Sequence, residues 1–229
     1  MHVKHNELSS LIWSSADDLL RGLFKPHEYG DIILPFTVLR RLDCVLEPHK
    51  DTVITLYNEY KSQVDDPTPV ILGKIKTTFF NHSKYDLNRL KQDPSNVMMN
   101  FNNYLSGYSE NVVEIIENFQ LEKPIEKLNK NNRLFQFIEK FSEIDLHPDV
   151  VSNHQMGQVF EELLRKFSVQ HCAPVPRLIV HLDSEFTTVL LLIKPPLRLK
   201  SVWGMNFFRF RISEKESGER IFSDSNLRK

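Results

Sequence analysis

The stretch Ile33–Pro48, ILPFTVLRRLDCVLEP, decides how this chain is read. Phe36, Leu39, Leu42, Val45 and Leu46 recur at spacings of three and four, which puts them on one face of an α-helix. Pro35 can open that helix, because a first-turn residue has no intrahelical use for its N–H. Pro48 stops it. Arg40 and Arg41 sit in the middle. Adjacent helical residues point about 100° apart, so the two cannot both lie at the centre of the core face. Leu39 and Leu42 take that face, so at least one arginine is expected to reach solvent or a partner. Two duties compete for the pair. One is an ion pair with Asp43, Glu47 or a neighbouring helix; the other is a contact with a phosphate backbone.

The helical period extends in both directions. Upstream, Leu8, Leu11, Ile12, Ala16, Leu19, Leu20 and Leu23 form one stripe that ends near Lys25-Pro26. Downstream, Val53, Leu56, Tyr57, Tyr60 and Val64 form another, followed by a loop at Asp65–Pro69, DDPTP. Ser83 with Asp86 resembles a capping box, and Asp93-Pro94 a cap followed by a first-turn proline. Val97, Phe101, Tyr104 and Leu105 follow, with Gly107 placed as a C-terminal stop. Ser109 is a cap for Val112, Val113, Ile116 and Phe119. Leu134, Phe135, Ile138 and Phe141 make a further stripe, and Met156, Val159, Phe160, Leu163, Leu164 and Phe167 the last one, starting after Ser152. The expected fold class is therefore mainly α, a helical bundle over residues 1–168. Its aromatic residues fall on apolar stripes and are expected in the core.

From Val169 the character changes. The tail, residues 169–229, carries short β-like runs, among them Thr187–Ile193 and the alternation Phe208, Arg209, Phe210, Arg211, Ile212. It reads as β-hairpin-like or irregular. It holds 10 Lys+Arg against 6 Asp+Glu, whereas the whole chain has 29 against 30 and a net charge of −1. A mildly acidic helical domain is thus followed by a basic segment, and any polyanion-binding surface must be local.

Composition excludes several classes. Only 7 Gly stand against 12 Pro and 16 Phe, which argues against glycine-rich phosphate loops and an all-β fold. No P-loop and no G-x-G-x-x-G occurs. Cys44 and Cys172 are far apart, which suits a reduced compartment better than a disulfide scaffold. No apolar run reaches the ~18 residues of a membrane helix, and MHVKHNELSS has no apolar signal-peptide core, so a cytoplasmic protein is expected. His2 and His5 read as a frayed terminus rather than a metal site. His147, between two aspartates in IDLHPD, reads as a polar turn rather than an acid/base centre. Glu161, Glu162, Arg165 and Lys166 read as a solvated, charged helix face. No nucleophile-plus-base arrangement stands out.

Three blocks of the chain resemble a known family. LSSLIWSSADDLLRGLFKPHEYGDIILPFTVLRRLDCVLEPHKD (Leu8–Asp51), FNNYLSGYSENVVEIIENF (Phe101–Phe119) and FSEIDLHPDVVSNHQMGQVFEELLRKF (Phe141–Phe167) look like the N-terminal helical domain of the modification (M) subunit of type I restriction–modification systems. The resemblance is colinear and covers about Asn6 to Ser168. It implies a subunit that methylates the exocyclic amine of adenine in DNA with S-adenosylmethionine. It implies assembly around a specificity (S) subunit with a second M subunit, and a restriction (R) subunit can join. It also implies a domain that helps close the assembly round duplex DNA, which draws Arg40 and Arg41 towards a DNA-binding role.

The chain departs from the family pattern where the catalytic domain should begin. The family continues to Phe-Thr-Pro at the cofactor site; here Gln170–Pro174 reads QHCAP. The nearest match to the family's Asn-Pro-Pro-aromatic motif is KPPL, Lys194–Leu197. Lysine offers no acceptor to the adenine amine, and leucine no ring to stack on the flipped base. The expectation is a catalytically incomplete chain that binds no S-adenosylmethionine itself, with residues 169–229 a divergent tail lacking the methyltransferase domain. Two other classes stay open: an enzyme completed by a separate catalytic chain, and a stand-alone helical protein whose basic tail binds nucleic acid.

Overall fold

A computed structural model describes the backbone of residues 5–169. His2, Cys172, the 194–197 motif and the alternating tail lie outside the described residues. Within them the architecture is all helical, and the only β-pairings are two isolated bridges, Arg21 with Phe24 and Asn81 with Tyr108. The helices are α1 (His5–Leu20), α2 (Gly30–Leu46), α3 (Lys50–Tyr60), α4 (Thr68–Ile75), α5 (Leu87–Leu90), α6 (Val97–Ser106), α7 (Glu110–Asn118), α8 (Glu122–Lys130), α9 (Leu134–Ser142) and α10 (Asn153–Val169).

The quoted stretch forms the central helix, and its surroundings differ from the expectation. α2 is buried along nearly its whole length, including Thr37, Arg40, Arg41 and Asp43 as well as its apolar residues. It packs against α1, α9 and α10, and α1 in turn packs against α9 and α10. The one-sided amphipathic reading fails because elements distant in sequence cover the other faces. Phe36 lies at the centre of this packing, its ring 4.8 Å from Phe137 and 5.5 Å from both Phe101 and Phe141. Such offset and edge contacts suit the ring quadrupole and add to the burial of large apolar area.

Pro35 does not open α2. The helix starts at Gly30, with Tyr29 as its N-cap, and runs through Pro35. A proline inside a helix removes one ladder hydrogen bond at a cost of about 3 kcal/mol. Here Ile32, Ile33 and Phe36, each fully buried, hold the helix on both sides of it. Gly30 lies against α10, where a Cβ would meet the Phe167 ring at 3.4 Å, an ordinary van der Waals contact. Pro48 does end α2, in a short 3-10 turn Glu47–His49 before α3.

α3 and α4 form a side lobe with its own small core of Val53, Leu56, Ile71, Ile75 and Phe80. The sequence pattern shows no helix at α4, and Val64, expected in the α3 stripe, lies past the end of that helix and is exposed. α8 was likewise unassigned, although Ile125 and Leu128 are buried. Leu11, expected in the α1 stripe, is 50% exposed.

Several capping expectations change in detail. Asp86 itself caps α5, accepting from the Arg89 N–H at 2.8 Å. Ser109 does sit at the N-cap of α7, but its hydroxyl accepts from the Phe80 N–H instead. Ser152 and Gln155 form a reciprocal pair at the start of α10, each side chain accepting from the other's backbone N–H. Gly107 ends α6 as expected, though with φ of −78°, so no left-handed conformation demands glycine. Close approach does: a Cβ there would lie 2.5 Å from Ser83 Cβ and 2.7 Å from Asn81 Oδ1.

Candidate functional site

The polar side chains of α2 converge on a hub inside the domain. On one side, Arg40 and Arg41 reach the segment that joins α9 to α10. Arg40 Nε donates to the Ile144 carbonyl at 2.6 Å. Arg41 Nη1 donates to the carbonyls of Leu146 and of Val151, the latter at 2.8 Å, and its Nη2 donates to Asn153 Oδ1 at 2.7 Å. The side chains of Ile144, Leu146 and Val151 are buried, so their carbonyls need donors that water cannot supply. A planar guanidinium with several fixed N–H groups serves that need.

Of the two outcomes expected for at least one arginine, solvent or a partner, the structure rules out solvent. Arg40 is 7% exposed and Arg41 4%. The two side chains do diverge round the helix, but the 144–153 segment lies over both. Arg40 forms no ion pair with Asp43 or Glu47 among the described residues, and the hydrogen bonds of the two arginines include main-chain carbonyls and Asn153.

On the adjoining face, the buried Asp43 is a second junction. Its Oδ1 accepts from the hydroxyls of Tyr104 at 2.9 Å and Tyr108 at 3.2 Å, and its Oδ2 accepts from the Leu87 N–H at 2.8 Å. One carboxylate thereby ties α2 to α5, α6 and the residue that follows Gly107. Burial pushes its pKa up to about 6, against the lowering effect of the Leu87 N–H. Burial and the neighbouring Asp43 push both tyrosine hydroxyls well above their ordinary range.

Lys50, the first residue of α3, completes the hub. It is 5% exposed, and burial lowers its pKa to about 8 although Asp43 and Asp86 pull the other way. With Arg40, Asp43, Glu47, Asp86 and Arg89 it lines a cleft of about 160 Å³. Arg89 closes one rim, pairing with Asp51 at 2.8 Å and with Asp86 at 3.3 Å. Among the described residues there is no grouping of His, Cys, Asp and Glu that could hold a metal.

The cleft does not fit S-adenosylmethionine. Pockets for ligands of that size run to ~300 Å³ or more and are mostly apolar, and this one is smaller and charged on nearly every side.

The other sequence-level candidates take structural places. His147 lies in a turn, where Asp145 accepts from its N–H and its Nδ1 accepts from the Asp149 N–H. Arg165 pairs with Glu162 three residues before it, at 2.6 Å, on the outer face of α10. Cys44 is a buried free thiol, its pKa raised by burial. Sequence reasoning missed Asp43, Lys50 and the two tyrosine hydroxyls as a group. The available signal was Asp43 itself, a short acid inside a run whose neighbours are almost all apolar.

The described residues thus make a helical domain held by one large apolar core and an internal polar hub. Residues 8–141 match the HsdM N-terminal domain, and the chain belongs to that family, the N-terminal domain of the modification subunit of type I restriction–modification systems. The matched span ends within α9, at the first residue of the block Phe141–Phe167, yet α10 packs on α1 and α2 as part of the same bundle. No curated protein matches the chain. No solved structure matches it.

Proposed function

We propose that this chain serves as the partner-docking and DNA-proximal helical domain of a type I modification subunit. The observation that carries the reading is the family match over residues 8–141. The partners are a specificity subunit, a second modification subunit, a restriction subunit in the full assembly, and duplex DNA. Adenine methylation with S-adenosylmethionine belongs to the full-length family. In this reading residues 169–229 supply neither the cofactor motif nor the catalytic motif of the family, since QHCAP and KPPL stand where those are expected.

Arg40 and Arg41 act in this reading by shaping the docking domain. A phosphate backbone would have to compete for the terminal donors of Arg41, which already serve the carbonyls of Leu146 and Val151 and the side chain of Asn153, whereas Arg40 is tied to Ile144 through Nε alone. No helix among the described residues is long and apolar enough to cross a membrane.

The test is a pull-down of the full chain with the matching specificity subunit, followed by a methylation assay on adenine-containing duplex DNA. A complex at micromolar concentration with no methyl transfer is the expected result. No complex would remove the docking role, and methyl transfer by the chain alone would overturn the reading of residues 169–229.

A further inference from the structure

The cleft beside Asp43 has more hydrogen-bond donors than acceptors. Lys50 makes no hydrogen bond and no ion pair among the described residues, although it is 5% exposed. The only hydrogen bond of Arg40 among them uses Nε, which leaves its two terminal amino groups without an acceptor there. An ammonium has three N–H donors and no acceptor, and a guanidinium likewise only donates.

The acceptors nearby are engaged. Asp43 uses both oxygens on Tyr104, Tyr108 and the Leu87 N–H. Asp86 uses both on Arg89. Glu47 is exposed at the rim and forms no ion pair with either cation. A buried, unsatisfied charged donor costs more than about 1–3 kcal/mol, so such a site calls for an occupant that only accepts.

We propose that this cleft binds a compact tetrahedral oxyanion of the phosphate class, held by Lys50 and the terminal amino groups of Arg40. Its volume of about 160 Å³ admits a phosphate group but not a nucleoside. The exposed Glu47 at the rim disfavours a long polyanion running across the mouth. The group is therefore either free phosphate or the terminal phosphomonoester of a larger molecule. The inference stands apart from subunit docking, since it needs only the folded chain.

Thermal unfolding of the full chain at constant ionic strength, with inorganic phosphate replacing chloride, tests it. The midpoint should rise by several degrees as phosphate increases, because a ligand that binds only the folded state stabilises it. Lys50→Met should fold and lose that gain. A midpoint insensitive to phosphate, or an equal gain in Lys50→Met, overturns the proposal. Should the variant fail to fold, amide NMR of the unsubstituted chain decides. Phosphate should then shift Leu46, Lys50 and Arg89 while leaving α7 and α8 in place, and shifts spread evenly over the surface overturn the site. Competition by a 5′-phosphorylated dinucleotide, set against its unphosphorylated form, separates the two sources. Displacement by the phosphorylated form alone assigns a terminal phosphomonoester; binding of inorganic phosphate without such displacement assigns the free ion.

Discussion

Arg41 donates a 2.8 Å hydrogen bond to the carbonyl of Val151, a residue 110 positions further along the chain. Through it and its companion bonds to Leu146 and Asn153, the central helix fixes both the connecting segment and the first turn of α10. α10 then packs along α1, closing the bundle. Arg41 is a clamp between the middle and the end of the domain.

Arg41→Ala should therefore destabilise the domain by about 3 kcal/mol, since it leaves buried carbonyls without donors. Arg41→Lys should recover only part of that, because a single ammonium cannot span the same acceptors. Urea unfolding gives the difference. Comparable stability in all three proteins would refute the clamp. DNA affinity of the assembled subunits should follow the folded fraction; a loss of affinity at unchanged stability would restore a direct phosphate contact.

Asp43 gives the domain a pH dependence of defined sign. Burial raises its carboxyl from 3.8 to about 6, so folding takes up a proton between those values. Its favourable contribution is complete below pH ~4 and is lost as pH rises through about 6. Lys50 faces it with the opposite shift, lowered to about 8, and penalises the fold below that pH until it deprotonates. Asp43→Asn should show a flatter stability profile between pH 4 and 6 than the unsubstituted chain. Parallel profiles in that window would remove Asp43 as the titrating group.

Gly107 is required for contact, not for conformation. Alanine there would bring Cβ to 2.8 Å from the Ser83 backbone nitrogen and 2.5 Å from Ser83 Cβ. Both sit in the turn that Asn81 braces, its Nδ2 donating to the Tyr104 carbonyl and its Oδ1 accepting from the Ser83 N–H. Overpacking of this kind costs about 1–3 kcal/mol. Chemical denaturation of Gly107→Ala should show a loss in that range, with an unchanged m-value. A neutral substitution would mean that the 81–83 turn yields freely.

Much of the fold was legible in the chain because helical period is a local property. The runs ending in Phe141 and Phe167 lie on the core-facing sides of α9 and α10, and Ser152 marks the start of the latter. α4 and α8 escaped for a local reason as well. α4 starts inside the stretch expected as a proline-rich loop, with Thr68 and Pro69 in its first turn, and α8 has only Ile125 and Leu128 buried amid charged residues.

What the sequence by itself determined was the helical class, the family, and which residues could be apolar knobs. Tertiary structure alone decided which faces of α2 meet solvent, because that depends on segments more than 100 positions away. A period of three and four identifies one buried face; it carries no information about whether a distant loop covers the other. Arg40, Arg41, Asp43 and Lys50 are polar side chains whose surroundings come from α5, α6 and the approach to α10. Their burial, their partners and the donor-rich cleft between them exist only once those elements have packed together.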